Sequence, residues 1–213
     1  MNHDSLINRL TEDLKPVRRR RLGVDVMVLA VICAVELALF FALGFARSDM
    51  PVMMKQPTFW WRLASLGLIS LISGTLAILS FNPTYSPRRG IRWLALIIAI
   101  CLVFGLAIGA GPDGLDAIIH RLNWMNGVRC AGKMIALSIP PLIGLGLLMR
   151  RGAPTDMRGT ALLVGLAAAA WGAFVFVFAC PFNDPLYIAV WYSVGCGIVT
   201  LLSRFVLPRL ARW

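Results

Sequence analysis

Charged side chains are scarce in this sequence, and their scarcity excludes an ordinary soluble domain. Only 15% of the 213 residues are charged and 59% are hydrophobic, whereas a soluble domain carries about a quarter charged residues. A cleavable signal peptide is also lacking, because the apolar run after Arg18–Arg21 is too long for a signal h-region and similar runs follow it. We therefore expect an integral membrane protein.

Motifs of soluble-type catalysis are missing as well. The sequence contains no HExxH, no P-loop, no GxSxG and no paired set of carboxylates. Its two histidines, His3 and His120, fall in segments predicted to lie outside the membrane. The five cysteines form neither a secreted disulfide framework nor a CxxC zinc ligand set. We expect no enzyme activity and no resident cofactor.

The chain does contain several long apolar runs. A membrane-spanning helix needs about 20 apolar residues, and six segments reach that length. They lie near 24–46, 59–81, 91–110, 129–149, 158–180 and 186–207. Runs this long exclude barrel strands, so only helices can satisfy their backbone groups in lipid. The predicted fold class is all-α: an integral membrane bundle of six transmembrane helices, occupying residues 23–213.

The distribution of Lys and Arg predicts the orientation of this bundle. With the N-terminus in the cytoplasm, fifteen basic residues fall on the cytoplasmic side and six on the other. The six are Arg47, Lys55, Arg62, Arg121, Arg129 and Lys133. This positive-inside bias predicts cytoplasmic N- and C-termini and a multi-pass protein of the bacterial inner membrane. It also accounts for the net charge of +11, so we expect no direct binding of nucleic acid.

Residues 1–22 form a separate cytoplasmic segment, in which 4–14 have the pattern of a short amphipathic helix. Apolar side chains recur on one face, at Leu6, Ile7, Leu10 and Leu14. About eleven residues are too few for a stable isolated helix, so the segment must order against a membrane surface or a protein groove. Its acids, Asp4, Glu12 and Asp13, disfavour a membrane surface. The pattern favours helix-in-groove binding to a protein.

Glu36 lies in the middle of the first predicted span. An ionisable side chain at that depth costs several kcal/mol unless it is paired or hydrated, which makes it a functional candidate. One interpretation is a small proton-coupled transporter or channel. The other is a protonated glutamate that is hydrogen-bonded within the bundle.

Two cysteines, Cys130 and Cys180, fall at the outer ends of consecutive predicted spans. The short inner loop between these spans favours antiparallel neighbours. From Cys130 to Met149 and from Arg158 to Cys180 are 20 and 23 residues, or roughly 30 and 34 Å of helix rise. Both thiols should therefore lie at nearly the same depth on the same side, where joint oxidation or joint ligation of a soft metal is chemically available. Arg129 beside Cys130 would favour the thiolate, and His120 is a further candidate metal ligand.

Several short stretches carry a resemblance to a known family. They are the opening Asp4–Arg19, the pair Arg129-Cys130, Cys180-Pro181 with Asp184-Pro185-Leu186, Val190-Trp191-Tyr192, and the ending Pro208 to Arg212-Trp213. The chain resembles the NrsF family of membrane-bound anti-sigma factors, which restrain extracytoplasmic-function sigma factors. The resemblance implies that the N-terminal segment holds a sigma factor at the membrane and that the signal arrives at the cysteine pair. No HxxxCxxC zinc motif is present, which fits capture by a short helix.

The predicted function is thus an anti-sigma factor that binds an extracytoplasmic-function sigma factor through Leu6, Ile7, Leu10, Leu14 and Asp13. It releases the sigma factor when Cys130 and Cys180 sense a periplasmic oxidant or heavy metal, with a transient soft metal ion, held with His120, as one form of the signal. The alternative is the small transporter or channel suggested by Glu36. Deleting residues 1–15 discriminates the two, because a carrier should tolerate the deletion.

Overall fold

The computed structural model describes residues 21–109 and 122–211, without the side chains of residues 108 and 109. The described residues form seven helices and no strand, and six of the helices are long and apolar enough to cross a membrane. The helices are α1 (Leu22–Ala42), α2 (Met50–Met53), α3 (Pro57–Ser80), α4 (Arg88–Gly109), α5 (Trp124–Arg150), α6 (Met157–Phe176) and α7 (Pro185–Leu210). For these residues the predicted all-helical fold and six helices of membrane-spanning length are confirmed. The predicted amphipathic helix over 4–14 lies outside the described residues.

Two helices end earlier than the apolar runs predict, each for a local reason. The first run was expected to continue to residue 46, but α1 ends at Ala42 in a Schellman motif. In this motif Gly44 has φ 70°, its N–H donates to Phe41 O, and the N–H of Phe45 donates to Phe40 O. The run predicted to reach residue 180 ends at Phe176, and Pro181 beyond it cannot continue a helix. Cys180 therefore lies in the connector 177–184 and not on a helix.

Helix α6 is the centre of the bundle. In the apolar stretch of α6 that is long enough to cross a membrane, 72% of the residues are buried, against 17% in the corresponding stretches of α1 and α4. The small residues Ala167–Ala170 are all buried, as expected where packing drives association in lipid. A Cβ at Gly165 would come within 1.7 Å of Ser203 Oγ in α7, and one at Gly172 within 2.4 Å of Ser138 Oγ in α5. Glycine at these two positions is what lets α5 and α7 pack closely on α6.

The up-and-down order brings one end of every long helix to the same side of the bundle. The connectors 43–56 and 177–184 and the start of α5 lie at this end, which we call the cysteine end. Helix α1 packs mainly on α5 and only weakly on α3 and α6, whereas α4 packs on α3 and α7. Helix α1, which follows the N-terminal segment directly, is thus a peripheral helix resting on the helix that carries Cys130.

Candidate functional site

The two cysteines singled out in the sequence lie side by side at the cysteine end. Cys130 is in the second turn of α5 and Cys180 is in the connector 177–184. Their side chains lie against each other, and both thiols are free. Both residues are buried, with 5% and 0% of their surface exposed. The pair therefore joins helix α5 to the α6–α7 connector without a covalent bond.

Two tyrosines of α7 close the pair from one side. The hydroxyl of Tyr187 donates to Cys130 Sγ at 3.5 Å, and Cys180 Sγ donates to the carbonyl of Phe182 at 3.6 Å. Tyr192 also lies against Cys180, but its hydroxyl forms no hydrogen bond of ordinary geometry with the described residues. The thiols thus share one buried pocket with two phenol groups.

Arg62 of α3 is a buried cation beside this pocket. Only 1% of its surface is exposed. Its guanidinium donates to the carbonyl of Phe182 at 3.1 Å and to Asn183 Oδ1 at 3.3 Å, so it fixes the connector just after Cys180. The sequence pointed to Arg129 as the cation beside the thiols. The structure places Arg62 in that position instead, while Arg129 is exposed on α5.

Arg47 attaches the end of α1 to the same connector. Its guanidinium donates to the carbonyl oxygen of Cys180 at 2.5 Å, and its backbone N–H donates to Phe178 O at 3.0 Å. Asp49 accepts from Nε and Nη2 of Arg47 at 2.5 and 2.6 Å, which holds the guanidinium in place. That hydrogen bond from Arg47 also lowers the pKa of the exposed Asp49 carboxyl. The backbone of Cys180 is therefore bonded directly to the segment that follows α1.

The surroundings favour the thiolate form of Cys180. The hydrogen bond from Cys130 is the largest influence, and it lowers the pKa of Cys180 together with a backbone hydrogen bond at Phe182 and the charge of Arg62. Burial acts in the opposite direction and is outweighed. A thiolate is both the nucleophile and the metal ligand of cysteine, so these contacts favour Cys180 over Cys130 for such chemistry.

The remaining predicted site residues lie outside the described part of the chain. They are the candidate metal ligand His120 and the predicted sigma-binding residues Leu6, Ile7, Leu10, Leu14 and Asp13. No group of three or more His, Cys, Asp or Glu side chains suited to a metal occurs within 21–109 and 122–211. Two adjacent thiols can by themselves co-ligate a soft ion.

Glu36 has a hydrogen-bond partner inside the bundle. Its Oε2 accepts from Trp171 Nε1 of α6 at 3.0 Å, and 9% of the residue is exposed. Its Oε1 has no partner among the described residues. The groove beside Glu36 is otherwise apolar and includes Leu137 and Pro140 of α5. This contact fits the interpretation of a glutamate bonded within the bundle.

Sequence reasoning missed the two arginines and the two tyrosines around the thiols. Arg62 was counted among the basic residues of helix ends, although it lies inside the predicted run 59–81. An ionisable residue within an apolar run is itself a signal of function or of a buried partner. The roles of Arg47 and Tyr187 depend on contacts between distant segments, which apolar periodicity does not encode.

Comparisons with known proteins agree with the resemblance. The profile of a family described as "Negative regulator of sigma F", NrsF, matches residues 10–213. The Anti-sigma-F factor NrsF of Caulobacter vibrioides (strain NA1000 / CB15N) is 29% identical over 223 aligned residues, which cover 100% of both chains. No solved structure shows significant similarity to the chain.

Proposed function

Since the chain belongs to the NrsF family of negative regulators of sigma F, we propose that it captures an extracytoplasmic-function sigma factor with its N-terminal segment and releases it when the cysteine pair reacts. The family and the full-length relative support an anti-sigma factor, which is a regulator and not an enzyme. The contact between Cys130 and Cys180 is the observation that carries the sensing part of the proposal.

Capture is assigned to the apolar face of the segment 1–22. Leu6, Ile7, Leu10 and Leu14 bury in a groove of the sigma factor, with Asp13 at its rim, and cover surface that the polymerase needs. Burial of one such side chain contributes about 1.5–3 kcal/mol. Losing two of them therefore weakens binding by at least about 3 kcal/mol, or more than 100-fold.

The cysteine end faces the periplasm in this proposal. The orientation rests on the fifteen-to-six distribution of basic residues, which puts the inner loops and both termini in the cytoplasm. An oxidant or thiophilic metal then reaches the pair from outside the inner membrane, while the sigma factor binds on the opposite side. A periplasm-specific reporter fused after Trp213 should be silent.

The reaction itself changes the distance between two structural elements. A disulfide requires the sulfurs to close from non-bonded contact to about 2.05 Å, and a shared soft metal fixes both thiolates. With a peroxide as oxidant, the Cys180 thiolate attacks one oxygen to give a sulfenic acid and hydroxide. The Cys130 thiol then forms the S–S bond and releases water. The disulfide pulls the connector 177–184 towards α5, whereas a shared metal fixes the connector to α5.

The contacts of Arg47 give this movement a route to the sigma factor. Arg47 bonds the backbone of Cys180 and Phe178 to the end of α1. Helix α1 packs mainly on α5 and is mostly unburied within the bundle, so it can shift without disrupting the packing around α6. Because α1 follows the N-terminal segment in the chain, its displacement changes how that segment is presented at the other side.

Single serine substitutions at the two cysteines test the sensing part. In cells carrying a reporter of the sigma regulon, Cys130→Ser and Cys180→Ser should each abolish induction by oxidant and by thiophilic metal, with repression and membrane level unchanged. Cys101→Ser is the matched control, because Cys101 is a free cysteine in α4 away from the pair. A normal response of both single variants would show that the pair is not the sensor.

A further inference from the structure

An apolar cavity lies between α3, α4, α6 and α7. Its volume is about 470 Å³, which is within the roughly 300–1,000 Å³ of small-molecule sites. Along α7 it extends from Ile188 to Thr200, or about 18 Å of helix rise. The walls between are mostly aliphatic, including Leu66, Leu94, Ile98 and Leu166. The cavity is thus long and almost entirely apolar, which suits a hydrocarbon chain.

Two buried polar groups line this cavity near the cysteine end. Arg62 is 1% exposed and its Nε has no hydrogen-bond partner among the described residues. Tyr192 is 5% exposed and its hydroxyl has none either. A buried polar group without a hydrogen-bond partner is costly, and Arg62 lines an apolar cavity with a donor to spare.

We propose that the cavity binds one long-chain carboxylate, a free fatty acid, with its head on Arg62 and Tyr192 and its chain between α4 and α7. The carboxylate accepts hydrogen bonds from the two donors that have no partner, Nε–H of Arg62 and the hydroxyl of Tyr192. The source is a free fatty acid and not a phospholipid, because the 1% exposure of Arg62 leaves room for a small head group only. The proposal does not depend on sensing by the cysteines.

The test uses the full-length chain in nanodiscs and a palmitate analogue with a photoactivatable diazirine near its tail. Labelled peptides should map to the parts of α4 and α7 that line the cavity far from the cysteine end, between residues 91 and 98 and between 196 and 200. Palmitate should compete for labelling, whereas uncharged methyl palmitate and phosphatidylglycerol should compete at least tenfold less well. Arg62→Gln should raise the concentration needed for half-maximal labelling at least tenfold.

A second variant separates loss of the site from loss of the fold. Gly197 lines the cavity, and a Cβ there would meet nothing within 4 Å, so Gly197→Leu should fill the cavity and abolish labelling without a clash. Gly132→Leu is the matched control, since Gly132 also has open space and lies outside the cavity. Equal labelling of these two variants, or equal competition by methyl palmitate, would overturn the proposal. Stronger competition by phosphatidylglycerol would assign the cavity to a phospholipid and overturn it as well. None of these readouts involves the sigma factor.

Discussion

Replacing Arg47 should separate repression from induction. Arg47→Met leaves an unbranched, uncharged side chain that cannot form the hydrogen bond to the Cys180 carbonyl, while the backbone bond from residue 47 to Phe178 remains. The N-terminal segment is untouched, so the sigma factor should still be captured. The link between the cysteine pair and α1 should be weakened, and the signal should no longer reach the sigma factor.

The size of this effect follows from the bond that is lost. A hydrogen bond with a charged donor contributes about 1.5–3 kcal/mol. The Arg47–Asp49 pair adds little by itself, because Asp49 is 48% exposed. If the full free energy of the lost hydrogen bond contributes to coupling between the cysteine pair and the sigma factor, the ratio of induced to uninduced reporter activity falls by about 10- to 150-fold.

The assay is a reporter of the sigma regulon, read with and without oxidant at matched membrane levels of the variants. Lys55→Met is the control, because Lys55 is an exposed cation in the same connector and its loss changes the charge equally. Normal induction of Arg47→Met would refute the route through α1. Constitutive activity of Arg47→Met, absent in Lys55→Met, would show that Arg47 serves capture and not transmission.

Two further predictions concern single side chains. The rate at which a small alkylating reagent modifies Cys180, measured by mass spectrometry against pH, should have its midpoint at a lower pH than that of an ordinary cysteine, because Cys130 and Arg62 lower the pKa of this thiol. Cys130→Ala removes the hydrogen bond that contributes most, so it should move this midpoint to higher pH, and an unchanged midpoint would contradict the assigned cause. Glu36→Gln should leave repression and induction unchanged, because the amide oxygen can still accept from Trp171. Loss of the response in the Glu36 variant would support the proton-coupled alternative.

The sequence was sufficient to predict the features of the fold that depend on hydrophobic composition along the chain. Apolar length along the chain predicted six helices long enough to cross a membrane, and the structure contains them. Helix ends were predicted less well. The Schellman motif at Gly44 and the stop before Pro181 are local events inside apolar sequence, and apolar length does not detect them.

The candidate site shows a similar division. Equal helix rise was enough to predict that Cys130 and Cys180 share a depth, and the structure places the two thiols in contact. Their surroundings were not predictable from spacing, because Arg47, Arg62 and Tyr187 come from three other parts of the chain. Contacts of this kind are decided by the packing of helices against one another, which a single sequence does not reveal.

The central claim is that the N-terminal segment holds a sigma factor at the membrane. The direct test is purification of the tagged full-length chain from membranes, followed by quantification of the co-purified sigma factor. We expect retention by the unaltered chain, loss of more than 100-fold in affinity for Leu10→Asp with Leu14→Asp, and release on addition of oxidant. Asn8→Asp with Arg9→Gln is the control, because it changes the charge equally on the opposite face. Equal retention of a sigma factor by the two double variants, or no sigma factor with the unaltered chain, would contradict the account.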